Sequence, residues 1–534
     1  MTTPSRRLAL LEQYRKRIEA AEVYDVAVVS PLEPAHKLSA RLGNTVLIKR
    51  EDAQPVHSFK LRGAYNKISR LNPAQRAAGV ITASAGNHAQ GVALAARRLG
   101  LSATIVMPGT TPQIKVDAVR ALGGTVVLHG DTYDESAEFA RVLARKKRLS
   151  YVHPYDDPDV IAGQGTIGRE ILNQASGALD VVFVPVGGGG LLAGVAAYIK
   201  AVRPGVRIVG VEPDDAACMT AALAAKRRVV LPRVGLFADG VAVRQAGAEP
   251  FRIARELVDE MVTVSVDEIC AAVRDVFYEN RSVLEPAGAV AIAGLKKWTQ
   301  QHRAANKTLV AIASGANVNF DRLRHIAERA EIGDHHESLL AVTIPEKPGS
   351  FKRFLRSLGR CVVTEFNYRY AVPGISAGGR KSFSRTPAAS AREAHLFVGL
   401  KLGGDGEAGR IAILRKLRRM GYPVVDMTGN EMAKLHVRYM VGGRAPSLKD
   451  EVLMRFEFPE RPGACLDFLN AIHGRWNISL FHYRNHGAAY GRVLCGLQVP
   501  RKERAECRRT LDALGYTYAE ETDNPAYGLF LGTD

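Results

Sequence analysis

The sequence has few cysteines, few tryptophans and no long apolar run. Its six cysteines, among 534 residues, form no CxxC pair and no zinc-ligand spacing with histidine, so we expect reduced thiols rather than disulfides or a zinc site. No stretch approaches the roughly 20 apolar residues that cross a bilayer, so we expect no membrane partner. The segment 1–25 carries acidic side chains and no continuous apolar stretch, which argues against a secretory signal and predicts a cytoplasmic protein.

The chain also lacks any recognizable nucleic-acid-binding motif, although its formal net charge is +19. The basic residues are spread along the whole chain, and dense patches such as 145–148 are typical of solvated helix faces. We therefore expect no nucleic-acid partner. A length of 534 residues is too great for one ordinary core and predicts several domains.

The first 330 residues alternate short β-branched runs with longer segments of helical apolar spacing, such as 87–100 and 191–202. The strand candidates are 45–49, 79–84, 103–108, 125–128, 181–186, 207–211 and 308–314. Continuous apolar strands that alternate with helices predict an α/β fold, in which parallel sheets are covered on both faces.

The remainder of the chain repeats itself. The blocks at 343–351, 364–370, 394–402 and 421–430 return in the same order at 457–465, 479–485, 491–499 and 515–524. Each copy predicts a small α+β sandwich in the order strand, PG turn, helix, two strands, helix, strand. The sequence distance between corresponding blocks of the two copies is larger before the segment 372–393 than after it, which indicates extra residues in the first copy. Since this segment is rich in Gly, Ser, Ala and Arg, we expect a mobile insert there.

One candidate for chemistry is Lys60, in the segment HSFKLRGA (57–64). It precedes a helical stretch and lies among small and apolar residues. A buried lysine can lose its proton and form a Schiff base with an aldehyde. A single lysine in such a segment is also consistent with an ordinary residue on a helix surface, so the assignment of a chemical role to Lys60 depends on the other motifs.

A second candidate is the segment PVGGGGLLAG (185–194), in which four glycines separate a strand from a helix. Their N–H groups can surround a phosphate at the helix N-terminus, and no side chain obstructs the approach. The simpler alternative is a flexible linker, although linkers rarely sit so tightly between a strand and a helix.

Two further strand ends carry polar residues, in ASAGNHAQG (83–91) and ASGAN (313–317). In the first, small residues open a helix, and free N–H groups there are suited to a carboxylate. The candidate residues are Ser84, Ala85, Gly86, Asn87 and His88. In the second, Ser314 can make one hydrogen bond to a ring nitrogen. Each segment is also consistent with a simple structural turn.

In this order, the four motifs resemble the fold-type II pyridoxal-phosphate enzymes, which include threonine and serine dehydratases and serine racemase. The resemblance implies a fold like that of the tryptophan synthase β subunit, with two open twisted sheets. It implies that Lys60 binds the cofactor covalently, that Asn87 bonds the ring hydroxyl, and that Ser314 meets the pyridine nitrogen. It assigns the substrate carboxylate to residues 84–88, and the cofactor phosphate to Gly187, Gly188, Gly189, Gly190 and Leu191.

The repeated modules, with the segment MAKLHVRYMVGGR (432–444), resemble the paired ACT-like domains of the biosynthetic threonine dehydratases. This implies deamination of L-threonine, and also L-serine, to a keto acid and ammonia; for threonine the product is 2-oxobutanoate, as the first committed step of isoleucine biosynthesis. It also implies a homotetramer that isoleucine inhibits and valine relieves. The candidate effector residues, whose aromatic members are also interpreted as core residues, are Gly349, Ser350, Phe351, Tyr368, Gly463, Ala464, Cys465 and Tyr483.

The predicted domains follow from the motifs and the repeat. The catalytic domain spans 1–330, with a smaller subdomain at roughly 50–150, and a linker follows at 331–337. The two ACT-like domains span 338–434, including the insert, and 450–530.

Relatives of the racemase type bind a divalent cation through Glu and Asp residues after a strand. Here Cys218 stands where an Asp is expected after Glu212, and a hard cation prefers oxygen ligands, so we predict no metal. Asp214 and Asp215 remain alternative ligands. The alternative functions are a serine or threonine racemase, another β-eliminating enzyme, or a catalytically silent amino-acid sensor; the intact Lys60 and glycine loop argue against the last.

Overall fold

The protein is described by a computed structural model. The structure describes residues 4–130, 132–175, 177–320, 322–334, 336–345, 349–359, 361–369, 393–402, 406–430, 433–434, 437–439, 448–459, 464–472, 475–484, 490–524, 527 and 531. The chain divides into two compact units, Met1–Gly333 and Asp334–Asp534. Gly463 and the predicted insert, apart from its last residue, lie outside the described residues.

The first unit contains ten strands in two sheets. These are β1 (Leu32–Pro34), β2 (Thr45–Arg50), β3 (Val80–Ala83), β4 (Ala103–Met107), β5 (Thr125–Leu128), β6 (Ser150–Tyr151), β7 (Val181–Pro185), β8 (Arg207–Pro213), β9 (Glu260–Val264) and β10 (Thr308–Ala313). Every strand that the sequence predicts in this unit is present, whereas β1, β6 and β9 were not predicted.

The helices of the first unit alternate with these strands. They are α1 (Pro4–Glu19), α2 (His36–Leu42), α3 (Lys60–Ser69), α4 (Pro73–Ala78), α5 (Asn87–Leu99), α6 (Gln113–Ala121), α7 (Tyr133–Lys147), α8 (Pro158–Gln174), α9 (Gly190–Val202), α10 (Cys218–Ala225), α11 (Ala248–Leu257), α12 (Val266–Asn280), α13 (Pro286–His302) and α14 (Arg322–Gly333). Side-chain caps start several of them; Asp157, for example, accepts N–H groups at the start of α8.

The larger sheet has six strands in the order β1-β2-β10-β7-β8-β9, and all neighbours except β1 and β2 are parallel. Successive residues of its central strands enter different apolar clusters. Val182 and Val184 pack in one cluster, whereas Val181 and Phe183 pack in the other. Both faces are therefore buried, which explains why these strands read as continuous apolar runs.

The smaller sheet has four parallel strands in the order β5-β4-β3-β6. One face packs with residues of α3, α5 and α6, and the other packs with α7. Both sheets are thus open and parallel at their centres. The predicted fold class, two open sheets covered by helices, is confirmed by this topology.

The described residues of the second unit form one antiparallel sheet of eight strands. Its strands are β11 (Glu337–Pro345), β12 (Val362–Arg369), β13 (Glu393–Lys401), β14 (Val424–Asp426), β15 (Glu451–Pro459), β16 (Asn477–Arg484), β17 (Tyr490–Gln498) and β18 (Thr517–Glu520). Its helices are α15 (Ser350–Leu358), α16 (Gly406–Arg419), α17 (Ala464–Ala471) and α18 (Arg504–Leu514).

The strand order of this sheet, β14-β11-β13-β12-β16-β17-β15-β18, shows the internal repeat. Each half has the same order of elements, and the halves join where β12 pairs antiparallel with β16. The sequence predicted two separate sandwiches. Instead, the two copies share one continuous sheet and one apolar cluster.

The connection between the units differs from the predicted linker at 331–337. Helix α14 continues to Gly333, and β11 already begins at Glu337. Buried Ile326 and Ala330 anchor α14 in the apolar cluster of the first unit. Charged residues dominate the sequence of this helix, so its buried apolar face is not obvious from the sequence.

All six cysteines are free thiols, as predicted. Among the described residues, no helix has both the length and the apolar character needed to cross a membrane.

Candidate active site

The four sequence motifs of the first unit all lie at the carboxyl ends of parallel strands. Lys60 is the first residue of α3, and Ser58, just before it, forms an antiparallel bridge with Gly315, just after β10. The Phe59 N–H donates to the Ser314 carbonyl (3.3 Å), and the Ala316 N–H donates to the His57 carbonyl (2.9 Å). The motifs at 57–64 and 313–317 are therefore adjacent, although about half of the chain separates them in sequence. Carboxyl ends of parallel strands are the usual ligand sites of such sheets.

The Lys60 amine lies in a position that favours its neutral form. Its Nζ donates to the Pro154 carbonyl at 3.3 Å. Burial lowers the pKa of Lys60 to about 8, while the Glu285 carboxyl acts in the opposite direction. A lysine with this pKa supplies an appreciable fraction of uncharged amine near neutral pH, as a nucleophile or a base requires.

Asn87 begins α5 and is held by two side chains that the sequence did not single out for a role. Its Nδ2 donates to Glu285 Oε1 (2.6 Å), and its Oδ1 accepts from Asn317 Nδ2 (2.7 Å). Burial, followed by the nearby Asp239 carboxylate, raises the pKa of Glu285 to about 7. Since Glu285 is 198 residues from Asn87, no local sequence signal could indicate this contact.

Ser314 follows β10 directly and is buried. Its hydroxyl donates to the carbonyl of Ala287, in the first turn of α13, at 3.3 Å. We call Lys60, Asn87, Glu285 and Ser314 the lysine site. Three of these residues were predicted, and Glu285 was not.

The glycine loop lies between β7 and α9, as the sequence predicts. Its carbonyls have partners: Gly188 accepts from the Gly247 N–H (3.0 Å) and Gly189 from the Ala193 N–H (2.9 Å). Gly187 accepts from the Cys218 thiol at 3.4 Å. Within the described part of the chain, by contrast, no N–H group from Gly187 to Leu191 donates to a protein acceptor.

Packing around this loop explains why it consists of glycines. A Cβ on Gly188 would overlap the Tyr155 ring, and Gly189 adopts φ +94, where a Cβ would lie 2.6 Å from Met219 Cε. A run of free N–H groups at the N-terminus of a helix forms an anion site. The loop therefore fits a phosphate group.

The loop from Ser84 to His88 differs in part from its prediction as a row of free N–H groups. The Ser84 N–H donates to the Val106 carbonyl (3.0 Å), and the Gly86 N–H donates to Ser84 Oγ (3.3 Å). The Ser84 N–H is bonded because β3 continues its pairing with β4, and the Gly86 N–H is bonded because the Ser84 hydroxyl turns back toward it. The N–H groups of Asn87 and His88 lie in the first turn of α5 and have no acceptor within the helix.

His88 points into the protein rather than toward solvent. Its Nε2 lies 3.0 Å from the Val152 carbonyl, and its Nδ1 has no hydrogen-bond partner among the described residues. Burial, followed by the charge of Lys60, lowers the pKa of His88 to about 3. The imidazole is therefore neutral, and it adds no positive charge beside Lys60.

The region considered for a cation has a different role in the structure. Glu212 accepts hydrogen bonds from the N–H groups of Met219 (2.7 Å) and Thr220 (2.9 Å) and so caps α10. Cys218 packs beneath the glycine loop, and burial raises its pKa to about 12. Asp214 and Asp215 lie in a short 3-10 helix. Among the described residues, no group of three or more His, Cys, Asp or Glu side chains has an arrangement suited to a metal.

The predicted effector residues of the second unit lie at the starts of helices and on paired strands. Gly349, at φ +83, precedes α15, and Ala464 and Cys465 begin α17. Phe351 and Tyr368 are buried in the apolar cluster, where the Phe351 ring lies 4.6 Å from that of Phe366. Tyr483, which is partly buried, faces Phe366 across the β12–β16 pair. The buried aromatics thus have the core role that the sequence left open for them.

Each of the two units matches a known protein family. The family model for pyridoxal-phosphate-dependent enzymes matches residues 24–315. The model for the C-terminal regulatory domain of threonine dehydratase matches residues 328–376 and 442–531.

Individual relatives match along nearly the whole chain. The sequence is 54% identical to the biosynthetic L-threonine dehydratase of Burkholderia multivorans, over 97% of this chain and 99% of the relative. It is 51% identical to that of Escherichia coli, over 97% of each chain. The structure of processed threonine deaminase isoform 2 from Solanum lycopersicum matches with a TM-score of 0.59 at 55% identity, over 60% of this chain and 88% of that one. The chain therefore belongs to the biosynthetic threonine dehydratases, a family of pyridoxal-phosphate-dependent enzymes.

Proposed function

We propose that this chain deaminates L-threonine to 2-oxobutanoate and ammonia, using pyridoxal phosphate bound at the lysine site. L-serine is a second substrate, and the reaction is the first committed step of isoleucine biosynthesis in the cytoplasm. The observation that carries the proposal is the partly neutral Lys60 amine, which lies at the same edge of the sheet as a row of glycine N–H groups with no acceptor among the described residues. Identity of about one half to named threonine dehydratases supports this choice of substrate.

The residues present fit pyridoxal phosphate on the evidence of the glycine loop. The N–H groups of Gly187, Gly188, Gly189, Gly190 and Leu191 have no acceptor among the described residues, while the loop carbonyls are bonded elsewhere. An anion is the ligand that satisfies such a row. These five residues would hold the phosphate, Asn87 the ring hydroxyl and Ser314 the pyridine nitrogen.

Lys60 has two roles in this proposal. Its Nζ would hold the cofactor covalently through the cofactor aldehyde, and the same nitrogen would serve as the base that accepts the proton from the substrate Cα. The bound cofactor supplies the electron sink that makes this proton acidic. Ser314 is a neutral partner for the ring nitrogen and does not force its protonation as a carboxylate would. That choice suits β-elimination more than transamination.

The substrate carboxylate is assigned to the first turn of α5 and the loop before it. The N–H groups of Asn87 and His88 lie at the positive end of the helix dipole, where an anion is favoured. Ser84, Ala85 and Gly86 border this place, with Ser84 supplying its hydroxyl rather than its N–H group.

One assay tests the catalytic proposal. The purified protein should show the visible absorbance of lysine-bound cofactor and release a keto acid from L-threonine. Formation of D-serine from L-serine, without keto acid, would favour the racemase alternative. Neither product, in a protein that binds an amino acid, would favour the silent sensor.

We infer further that the second unit binds isoleucine as an inhibitor and valine as its antagonist, in a homotetramer. The supporting observation is the match of this unit to a regulatory domain. The residues proposed to bind the effector are Gly349, Ser350, Gly463, Ala464 and Cys465, at the PG turns and the helix starts that follow them, with Phe351, Tyr368 and Tyr483 nearby. Isoleucine inhibits only if it binds the less active state more tightly, and a tenfold preference corresponds to about 1.4 kcal/mol.

Truncation tests this regulatory proposal. Because α14 belongs to the first unit, the cut should follow Gly333 rather than fall inside the helix. We expect the truncated enzyme to retain some deaminase activity without isoleucine inhibition. Undiminished inhibition would place the effector site in the first unit, and light scattering of both forms would report the subunit number.

A further inference from the structure

The side chains behind Asn87 form a hydrogen-bonded chain that ends on a backbone carbonyl. Asn317 Nδ2 donates both to the Val56 carbonyl (2.9 Å) and to Asn87 Oδ1 (2.7 Å). Asn87 Nδ2 in turn donates to Glu285 Oε1 (2.6 Å). We call Val56, Asn317, Asn87 and Glu285 the amide relay.

The relay leaves only one orientation for each amide. A backbone carbonyl can only accept, so Asn317 must present its NH₂ group to Val56. The same NH₂ group faces Asn87, which must therefore present its oxygen to Asn317. The Asn87 NH₂ group then faces Glu285, whose oxygen accepts one of its two hydrogens. The second hydrogen of Asn87 has no acceptor among the described residues.

Glu285 can serve in this relay in either protonation state. Burial and the Asp239 carboxylate raise its pKa to about 7. A carboxylate and the carbonyl oxygen of a neutral carboxylic acid both accept a hydrogen bond. Close packing also confines the acid, since a Cβ on Gly315 would overlap Glu285 Oε1. The acceptor beside Asn87 is therefore held in place over the working pH range.

We propose that Asn317 and Glu285 are positioning residues, which orient the Asn87 amide so that its free N–H, rather than its oxygen, faces the ring hydroxyl of the cofactor. This inference rests on the proposed function, because it takes Asn87 to be the residue that meets that hydroxyl. A donor at this place stabilises the ionised ring oxygen. An acceptor there would instead favour the protonated hydroxyl.

The decisive variant is Asn317→Asp, which keeps the side-chain shape but replaces the donor with an oxygen. The Asn87 amide should then turn its NH₂ group toward position 317 and its oxygen toward the cofactor. The readout is the ratio of the two absorption bands of the bound cofactor, which report the ionised and protonated ring hydroxyl. Because the variant removes a hydrogen bond to a charged group, we expect the ratio to fall by roughly tenfold or more.

Asn317→Ala separates orientation from packing. It removes the donor but adds no competing oxygen, so Glu285 still holds the amide, and the ratio should change less than in Asn317→Asp. A purely structural role predicts the reverse order, because alanine leaves a cavity whereas aspartate is isosteric.

A matched control is Asn44→Asp, at the opposite end of β2 and β10 from the lysine site. Like Asn317, Asn44 donates two hydrogen bonds through its Nδ2, but here both acceptors are backbone carbonyls, those of Leu42 (2.6 Å) and Ala304 (2.8 Å). This variant buries the same new carboxylate and should lower stability without changing the band ratio.

Glu285 variants test the other end of the relay and do not depend on whether Asn317→Asp folds. Glu285→Gln keeps an acceptor oxygen and should leave the ratio within about twofold of the parent, whereas Glu285→Leu removes the acceptor and should lower it. If the parent shows neither cofactor absorbance nor threonine deamination, the proposed function fails and the relay fails with it. If the parent shows both, but Asn317→Asp and Glu285→Leu keep the parental ratio, only the relay is wrong.

Discussion

Lys60 and Arg62 lie two residues apart on the same helix, yet their surroundings are opposite. Arg62 is fully buried and bonds to Glu51 (2.8 Å) and Glu170 (2.6 Å). Within the part of the chain that the structure describes, the one hydrogen-bond partner of Lys60 is a backbone carbonyl, at 3.3 Å. Positions two apart on a helix face different directions, so one residue enters a charged cluster and the other enters the site.

The electrostatic outcome follows from these partners. Two carboxylates raise the pKa of Arg62 above its already high value despite burial, whereas burial without a bonded carboxylate lowers the pKa of Lys60 to about 8. Lys49, which also bonds to Glu170 (2.6 Å), completes a cluster that we call the ion cluster: Lys49, Glu51, Arg62 and Glu170. A paired buried cation serves the fold, and an unpaired one is available for chemistry.

The largest expected effect comes from removing the unpaired cation. Lys60→Ala deletes both the covalent attachment and the base, so turnover of L-threonine should fall by roughly a thousandfold or more, with loss of the visible cofactor absorbance. Compared in the cofactor-free form, the thermal midpoint should not fall, because the variant breaks no ion pair and removes a buried amine whose charge is disfavoured in the fold.

Lys67→Ala is the matched control for this variant. Lys67 lies on the same helix but pairs with Asp157 at 2.8 Å and Asp159 at 3.3 Å. It should keep turnover near the parent value. If Lys60→Ala also kept that turnover, the contrast between the two lysines would be wrong.

The next effect is on stability and comes from the paired cations. Glu170→Gln leaves Arg62 and Lys49 without part of their counter-charge, so the free energy of unfolding should drop by about 3–5 kcal/mol. Urea titration measures this drop, and the cofactor absorbance of the folded variant should match the parent.

Glu138→Gln provides the surface comparison. Glu138 pairs with Arg141 at 3.0 Å, and both side chains are more than half exposed. Its loss should cost less than about 1 kcal/mol. Equal costs for the two variants would contradict the assignment of a structural role to the ion cluster.

A further effect is a pH dependence of the cofactor-free chain. The pKa of Lys60 is about 8 in the fold and 10.5 in its ordinary state, so the unfolded chain binds more protons between these values. Stability should therefore rise with pH from about 8 to 10.5 through this group. Lys60→Met should reduce that rise in urea titrations, and the comparison with the parent cancels the similar contribution of Lys49. If the dependence of stability on pH were the same in Lys60→Met and the parent, the pKa of Lys60 would not be lowered in the folded chain.

The sequence could predict the role of Lys60 but not the ion cluster around Arg62. Lys60 was recognisable because motifs of known chemistry accompany it, and the strands and helices beside it have clear apolar periodicity. The ion cluster has no such signal. Arg62 and Glu170 meet because α3 packs against α8, and Glu51 reaches Arg62 from the short 3-10 helix that follows β2. Nothing local distinguishes these residues from surface charges.

The missed elements have similar causes. Strands β1 and β6 contain three and two residues, which is too short for a periodic pattern. Glu285 and Asn317 orient Asn87 across long sequence separations. The internal repeat could be read from the sequence, but the pairing of its two copies could not, since the repeated pattern is equally satisfied by two separate sheets.

The pairing of β12 with β16 makes the second unit mechanically continuous. Residues Glu365–Arg369 are in register with Leu480–Arg484 along this seam. A shift of one residue in this register would move the side chains of the strand that face the apolar cluster to the other face of the sheet. The register of β12 against β16 is therefore strongly specified. A small movement of the strands in one half is therefore expected to change the twist of the shared eight-stranded sheet, and the stiffness of the sheet sets how many strands are affected.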